Sequence, residues 1–464
     1  MPIRRTGFSL FRCYPGNSSQ KYHMRTLIYC LLLPLLASAQ PHIVFMLIDD
    51  LGWSDLRIQG NEKLHTPHID QLAAEGMRFT DAYAAAPVCS PTRAAILTGL
   101  SPAKLGLTNH LPDAKRHTPK GAKLLPATCI DHLPPSYITI AERLKDSGYA
   151  TGFFGKWHLS GPGKGLPENE PTAQGFDVNI GGCSYGGPPT FFDPYRIHNL
   201  DDRKEGEYLP DRLADEAVTF LQDNRETPTL VFLWYYTVHW PMEAPEADLA
   251  KYRGKEGPGL KDHRYGAMIE AMDRSAGKVL DAIDPENTLV IFTSDNGGFA
   301  GVADNRPLRD AKGELYEGGI RVPLIVRWPG KVNAGQTCST PVISMDFYPT
   351  LLQAAGLAPV ETEGESLFPL FNQSGTLQRK SIYFHYPNYA WHRGNKLGSA
   401  IREGKYKLIE RFENRTLELY DLENDLGERL NLANKQPEKA EAMRKRLEEW
   451  RKRVGAKMPQ PAKP

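Results

Sequence analysis

The sequence predicts an α/β fold in which helices flank a mostly parallel central sheet, followed by a smaller C-terminal α+β subdomain. Near-continuous apolar runs of strand length alternate along the chain with longer stretches of helical periodicity. Beyond about residue 375, short strand-like segments separated by turn residues replace this alternation. The 464 residues are 41% hydrophobic and 24% charged, a composition that is ordinary for a globular protein.

The apolar runs predict buried strands, because a parallel strand covered on both faces needs no polar alternation. In chain order, they span residues 42–48, 150–154, 230–236 and 288–293. The helical stretches span residues 67–76, 136–148, 211–223 and 264–283. In the second of these, Thr139 and Glu142 match a capping box and Gly148 matches a helix stop. The α/β domain is predicted to occupy residues 41–375.

The C-terminal subdomain is predicted over residues 376–464. Short antiparallel strands are expected at residues 382–386, 399–402, 405–410 and 417–421, and a charged terminal helix at 437–453. A turn at Glu403 and Gly404 separates the second and third strands.

Residues 1–40 are predicted to form a signal peptide. An apolar run over residues 27–37 follows Met24 and is too short to span a bilayer as a helix. It ends in Ala37-Ser38-Ala39, a pattern of small residues that is typical of a cleavage site. Because signal peptides begin close to the initiator methionine, we expect translation to start at Met24 and the protein to be exported, to the periplasm or outside the cell. A buried core helix is the alternative interpretation of this run.

Composition excludes several classes of protein. Lys and Arg total 56 and Asp and Glu total 55, which gives a formal net charge of +1 and no support for nucleic-acid binding. No integral membrane span is expected either. Four of the six cysteines lie beyond the predicted signal peptide, and none forms a C-x-x-C pair. A disulfide framework and a zinc knuckle are therefore not expected.

Oxygen-bearing side chains follow two of the predicted strands. Asp49 and Asp50 come directly after the first strand, and Asp295 and Asn296 follow the strand at 288–293. Adjacent carboxylates repel each other unless a cation lies between them. Three carboxylates and one amide oxygen fit Ca²⁺ or Mg²⁺ better than zinc. Simple turn formation explains either cluster by itself, but both clusters at strand ends favour a metal site.

Cys89 is predicted to begin a helix. Pro91 suits the first helical turn and Gly99 suits the helix stop. The amide hydrogens at a helix N-terminus favour an anion. Arg93, four residues on, returns to the same face and can reach what Cys89 holds. A capped structural helix with a buried thiol is the alternative.

Residues 89–93, Cys-Ser-Pro-Thr-Arg, resemble the C-x-P-x-R signature of the type I, formylglycine-dependent sulfatases of the alkaline phosphatase superfamily. Residues 148–159 are similar to the second signature of that family, although Ser160 replaces the usual closing glycine. Residues 238–241 and 312–319 are similar to two further stretches. The resemblance extends from about residue 42 to 435, with the matches in the family's order.

This resemblance implies an alkaline-phosphatase-like fold and a sulfuric ester hydrolase. Cys89 would be oxidised to formylglycine by a formylglycine-generating or an anaerobic sulfatase-maturating enzyme. The implied ligands of one calcium ion per chain are Asp49, Asp50, Cys89, Asp295 and Asn296. The implied catalytic residues are Cys89, Arg93, Lys156, His158, His239 and Lys312.

The roles implied by the resemblance make chemical sense. A hydrated aldehyde carries two hydroxyls, of which one attacks sulfur and the other expels sulfate. Asp295 would accept the proton of the attacking hydroxyl. His239 would protonate or hydrogen-bond the leaving oxygen, and His158 would take the proton of the second hydroxyl. The cations that would neutralise charge on the sulfuryl group are Arg93, Lys156 and Lys312.

The expected substrate is a sulfated carbohydrate, because export, loop insertions and aromatic residues suit a sugar ring that stacks near the sulfate. The candidate stacking residues are Tyr185, Trp240 and Trp391. A galactose or N-acetylgalactosamine sulfate of a mucin, glycosaminoglycan or algal polysaccharide is expected, cleaved at chain ends. Two alternatives remain: a phosphoric monoester, diester or phosphonate hydrolase of the same superfamily, and a catalytically silent calcium- and glycan-binding secreted protein.

Overall fold

The large sheet of the protein has nine strands, and a four-stranded sheet follows it in the chain. The structure is a computed structural model and describes residues 40–112, 117–162, 166–391 and 395–462. Residues 1–39 of the predicted signal peptide lie outside the described residues. Within the described ranges, no helix has both the length and the apolar character needed to cross a bilayer.

The strands in the described ranges are β1 His42–Ile48, β2 Met77–Tyr83, β3 Leu124–Leu125, β4 Ala150–Gly155, β5 Val178–Ile180, β6 Thr229–Trp234, β7 Thr288–Ser294, β8 Arg321–Arg327, β9 Gln336–Cys338, β10 Val342–Ile343, β11 Ser381–Tyr386, β12 Gly398–Glu403, β13 Tyr406–Arg411, β14 Thr416–Asp421 and β15 Gln460–Pro461. The helices there are α1 Pro67–Glu75, α2 Cys89–Thr98, α3 Pro102–Leu105, α4 Ile140–Asp146, α5 Leu209–Asp223, α6 Glu246–Tyr252, α7 His263–Ala282, α8 Glu317–Ile320, α9 Phe347–Ala354, α10 Phe368–Phe371 and α11 Pro437–Val454.

The large sheet is mostly parallel, as predicted. Its order is β10-β2-β8-β7-β1-β6-β4-β5, with β9 paired to β2. β1 lies between β7 and β6 and runs parallel to both, and β4 and β5 continue parallel on the β6 side. β8 is antiparallel to its neighbours β2 and β7. The carboxyl ends of β7, β1, β6 and β4 therefore meet at one edge of the sheet, which is where α/β sheets bind ligands.

Helices cover both faces of this sheet. Alternate residues of β1 enter two apolar clusters, one on each face. The face packed with α1, α5 and α7 receives Val44, Met46 and Ile48, and the face packed with α2, α4 and α9 receives Ile43, Phe45 and Leu47. Burial on both faces explains the continuous apolar run that predicts this strand.

The four-stranded sheet is the predicted α+β appendage. β11 to β14 pair antiparallel in chain order. One face packs apolar side chains with residues of β2 and α2, and the other face packs against α11. Chain contacts group Gln40–Pro464 into one compact unit, and the domain boundary between residues 375 and 376 stays a prediction.

Element bounds differ from the sequence prediction by a few residues, and five strands of the large sheet escape it: β2, β5, β8, β9 and β10. The predicted capping box of α4 is confirmed, with Thr139 and Glu142 bonded reciprocally. β2 and β8 are mostly buried although they contain polar side chains, so neither strand forms over its whole length the continuous apolar run used for the prediction. Arg321 of β8 pairs with Asp81 of β2, with 2.6 Å between the guanidinium nitrogen and the carboxylate oxygen.

Candidate active site

The predicted site residues converge at the carboxyl edge of the large sheet. Asp49 and Asp50 follow β1, and Asp295 and Asn296 follow β7, the strand paired with β1. Lys156 follows β4 directly. A hydrogen bond from Lys156 N to Trp234 O (2.7 Å) joins this strand end to that of β6, beyond which His239 lies. Parallel pairing thus brings together residues that are far apart in sequence.

Cys89 is the first residue of α2, as predicted. Val88 before it is extended, and Gly99 ends the helix in the left-handed region at φ +68°. The side chain is only 2% exposed, and burial raises the pKa of its thiol. Sγ of Cys89 and carboxylate oxygens of Asp49 and Asp295 lie within 4.8 Å of one another. A cysteine at the opening of a helix and acids from two strand ends therefore share one site.

Arg93 holds Asp295 through two hydrogen bonds of its guanidinium. Its Nε and Nη2 donate to Asp295 Oδ2 at 2.9 and 2.7 Å, and its Nη1 donates to Lys156 O. Burial alone would lower the pKa of this guanidinium, but the charges of Asp295 and Asp49 raise it. This bidentate pair fixes the acid that follows β7, and the reach of Arg93 to a group on Cys89 stays a prediction.

Two buried lysines face the paired acids after β1. Lys156 Nζ lies 2.6 Å from Asp49 Oδ2, and Lys312 Nζ lies 2.5 Å from Asp50 Oδ1. Burial raises the pKa of Asp49, although the positive charge of Lys156 acts to lower it. Burial alone would also raise the pKa of Asp50, but Lys312 and His239 hold it below its usual value. Each acid therefore has its own cation.

His158 and His239 are both shifted toward the neutral form. Burial, and next the charge of Lys156, lowers the pKa of His158 well below its usual range. Burial, and next the charge of Lys312, lowers the pKa of His239 to about 3. His158 Nε2 bonds Leu111 O, and His239 Nδ1 bonds Trp240 O at 3.0 Å. Because a carbonyl only accepts, these two nitrogens carry the proton and the other ring nitrogens are left as acceptors.

Several oxygens of the site fit a divalent cation. Asp49 Oδ1 and Asn296 Oδ1 are buried and find no hydrogen-bond partner among the described residues. Buried polar atoms normally have a partner, and a hard cation takes oxygen ligands of this kind. Asp50 and Asp295 supply further carboxylates beside them, since Asp50 N donates to Asp295 Oδ1 at 3.2 Å. The donor set suits calcium or magnesium better than zinc.

A cavity of about 380 Å³ opens above these residues. Its floor includes Asp50, Cys89, His158, His239 and Lys312. The remaining described lining consists of His110, Leu111, Pro112, His117, Gly186, Gly187, Trp240, Phe299 and Trp391.

Two of the three predicted stacking residues, Trp240 and Trp391, thus line the cavity. Tyr185 is not among the described lining residues and packs against a core cluster instead. The sequence gives no signal for Phe299 or His117, because loops from different strands bring them together. The two glycines lie in a Gly/Pro-rich loop, which is a recognisable signal for an insertion near a site.

Two family models match the chain. The model described as sulfatase matches residues 41–357. The model described as the C-terminal part of N-sulphoglucosamine sulphohydrolase matches residues 310–453. Together they cover the nine-stranded and the four-stranded sheets.

Similar proteins agree with these models. A sulfatase of Formosa agariphila is 32% identical, over 91% of each chain. The N-acetylgalactosamine-6-sulfatase of Mus musculus is 33% identical, over 81% of this chain and 73% of that protein. Among solved structures, Ps i-CgsB in complex with k-i-k-neocarrahexaose superposes with a TM-score of 0.76 at 31% identity, covering 89% of this chain and 93% of that chain. The fold is that of the alkaline-phosphatase-like sulfatases, and this chain belongs to the sulfatase family as a sulfuric ester hydrolase.

Proposed function

We propose that this enzyme removes sulfate from a sulfated carbohydrate, with a formylglycine made from Cys89 as nucleophile and one bound calcium ion. The observation that carries the proposal is the shared position of Cys89, Asp49 and Asp295, whose ligand atoms lie within 4.8 Å of one another under a cavity. A structural thiol would have no reason to lie among buried acids and lysines.

The calcium ion would be held by Asp49, Asp50, Asp295 and Asn296, together with an oxygen on the modified Cys89. Two of these side chains offer buried oxygens that lack partners among the described residues. When bound, the ion would lower the pKa of the attacking hydroxyl and hold sulfate oxygens. Asp295 is oriented by Arg93, so one of its oxygens remains available to the ion and to a proton from the nucleophile.

The cations of the site would stabilise the charge of the sulfuryl group. Lys312 lines the cavity beside Cys89, and Lys156 lies fully buried beneath it. In a site that excludes water, such charges act more strongly than in solution and need no reorganisation during the reaction. Formylglycine, once hydrated, supplies two hydroxyls on one carbon, so that transfer and release of sulfate use the same residue.

The two histidines would move protons at two different oxygens of the reaction. Nδ1 of His158 is buried without a hydrogen-bond partner among the described residues, so it can accept the proton of the second hydroxyl. His239 Nε2 lies 3.8 Å from Asp50 Oδ2. Since its Nδ1 donates to Trp240 O, it gives a proton to the leaving oxygen only from the cationic ring, which an approaching sulfate would favour.

The aromatic wall of the cavity and the substrates named for similar proteins both support a sulfated sugar as substrate. Trp240 is 43% exposed at the cavity wall and offers a face for a sugar ring. The relatives include an N-acetylgalactosamine-6-sulfatase and a structure holding a neocarrahexaose. We therefore favour a galactose or N-acetylgalactosamine sulfate as substrate, removed at a chain end because the site is a pocket.

Maturation and export complete the proposal. The protein would be exported to the periplasm or outside the cell, with translation starting at Met24. A formylglycine-generating or anaerobic sulfatase-maturating enzyme would oxidise Cys89. Since this side chain is 2% exposed, that enzyme would act before α2 is packed.

The test is a desulfation panel on protein co-expressed with a maturating enzyme. It would contain sulfated galactose and N-acetylgalactosamine, longer glycans carrying them, aryl sulfates and the matching phosphate esters. Sulfate release from the sugars, its loss in Cys89→Ala, and the mass change of a cysteine to an aldehyde in the Cys89 peptide are expected. Activity on aryl sulfates only would refute the carbohydrate assignment. An unmodified peptide in active enzyme would refute the formylglycine mechanism.

A further inference from the structure

Three hydrogen bonds from different parts of the fold hold the backbone at Lys312 and Gly313, and so fix the position of Lys312. Lys312 N donates to Gly298 O in the loop after β7 (3.1 Å), and Gly313 N donates to Pro87 O just before α2 (2.8 Å). The third contact comes from the connection between β11 and β12, where Asn395 Nδ2 donates to Gly313 O (2.6 Å). The first two hydrogen bonds come from loops that adjoin the nine-stranded sheet. The third comes from a connection within the four-stranded sheet.

Asn395 also holds the segment that carries a wall of the cavity. Its Oδ1 accepts a hydrogen bond from Ala390 N at 2.6 Å, next to Trp391. The ring of Trp391 lies 5.4 Å from Lys312 Nζ, a cation–π distance. Asn395 is only 6% exposed, so its amide joins the Lys312 loop and the Trp391 segment within the protein. One side chain thereby fixes the relative position of a catalytic cation and an aromatic wall.

We propose that Asn395 is a positioning residue for Lys312. It is not among the described residues that line the cavity, so it would act through Lys312 and without touching the substrate. Removing its amide leaves the buried Gly313 carbonyl without this donor, and buried carbonyls need a partner. The loop would then relax and move the ammonium away from Asp50 and the sulfuryl group. The inference rests on the proposed function, which gives Lys312 its catalytic role.

A double-mutant cycle tests this directly. The four proteins are the wild type, Asn395→Ala, Lys312→Ala and the double variant, all matured and assayed on one aryl sulfate. Misplacing a catalytic group by about 1 Å can cost about 100-fold in rate, so Asn395→Ala should lower kcat by roughly 10- to 100-fold with little change in KM. In the Lys312→Ala background the same substitution should have almost no further effect, because the group that it positions is gone.

If Asn395→Ala lowered kcat by the same factor in both backgrounds, the proposal would be overturned, since Asn395 would then act independently of Lys312. Asn61→Ala is the matched control, because that buried amide also bridges two backbone carbonyls, Ser54 O and Gly259 O, away from the cavity. Its kcat should equal that of the wild type.

If Asn395→Ala does not fold, Asn395→Asp takes its place in the same cycle. This variant retains the acceptor for Ala390 N and removes the donor to Gly313 O. Thermal melting identifies any unfolded variant. A wild type without activity on any sulfate ester would refute the proposed function. An active wild type with an additive cycle would refute the positioning role alone.

Discussion

Two glycines, Gly186 and Gly187, lie directly against the imidazoles of the site. A Cβ atom on Gly186 would come within 2.9 Å of the His158 ring, and one on Gly187 within 2.7 Å of both His239 Nδ1 and Trp240 O. Real Cβ atoms do not approach other atoms so closely, so the histidines would have to move. The absence of a side chain at these positions is therefore part of how the rings are oriented.

Gly187→Ala is expected to lower kcat by about 10- to 100-fold, because it would displace His239 from its proposed position at the leaving oxygen. Steady-state kinetics on an aryl sulfate across pH measures this, and the limb of the profile that reports His239 should shift. Gly375→Ala, whose Cβ would meet only Pro369, is the control. A wild-type kcat in Gly187→Ala would contradict the assigned contact.

Asn296 would contribute a neutral ligand to the proposed ion. A ligand bound to the folded state alone stabilises it by about 2.7 kcal/mol at a hundredfold excess over Kd, so calcium should raise the melting temperature of the wild type. Asn296→Ala should need more calcium for the same rise, whereas Asn61→Ala should not. Calcium titrations followed by differential scanning calorimetry measure both. A melting temperature indifferent to calcium would contradict the metal site.

At the scale of elements, α1 is capped by another helix. Thr66, the N-cap residue of α1, makes no capping bond with its side chain. Instead, Asp273 of α7 accepts hydrogen bonds from Ile69 N (2.9 Å) and His68 N (3.2 Å) in the first turn of α1. Burial raises the pKa of Asp273 from 3.8 to about 6. The folded state therefore binds this proton more tightly than the unfolded state.

Asp273→Asn is expected to change how stability depends on pH. The tightly held proton contributes its full share of the unfolding free energy below about pH 4. This stabilisation is lost as pH rises through about 6. Relative to the variant, the wild type should lose roughly 2–3 kcal/mol of unfolding free energy across that window.

The lost hydrogen bond in Asp273→Asn adds an offset that is independent of pH, so the slope is diagnostic. Urea denaturation at several pH values measures it, with the exposed Asp223→Asn as control. Parallel curves for wild type and Asp273→Asn would contradict the expectation.

The elements that the sequence predicts well are those whose signal is local. The apolar run of β1, the capping box of α4 and the helix opened by Cys89 all depend on neighbours in the chain. β2 and β8 are different, because the pairing of Asp81 with Arg321 makes their polar residues compatible with burial only after the strands meet. The same holds for Asn395 and the two glycines of the cavity, whose importance arises from contacts across the fold.

At the scale of the molecule, buried charges join the two sheets. Lys407 of β13 lies 2.9 Å from both Glu317 Oε1 and Glu428 Oε1, and all three side chains are fully buried. Glu428 Oε2 also accepts from Glu317 N at 2.7 Å. Glu317 begins α8, which follows the Lys312 loop. The four-stranded sheet is thus attached to the chain segment that carries a proposed catalytic lysine.

Lys407→Met is expected to lower the unfolding free energy by about 3–5 kcal/mol, because it leaves two buried carboxylates without their shared cation. Adding Glu428→Gln should restore part of the loss, since burial already raises the pKa of Glu428 to about 7. Chemical denaturation measures both effects, with the exposed Lys445→Met as control. A double variant no more stable than Lys407→Met would argue against a shared network.

Trp391 reaches the catalytic cavity from the connection between β11 and β12. This part of the cavity wall therefore belongs to a different sheet from the acids and lysines of the proposed reaction. Mutations at Trp391 can alter which substrates enter, while Asn395 of the same connection has to be kept to hold Lys312 in place. Exchanging this connection between homologues with Asn395 retained is accordingly a direct route to engineered selectivity, and the natural diversification of such enzymes can proceed by the same route.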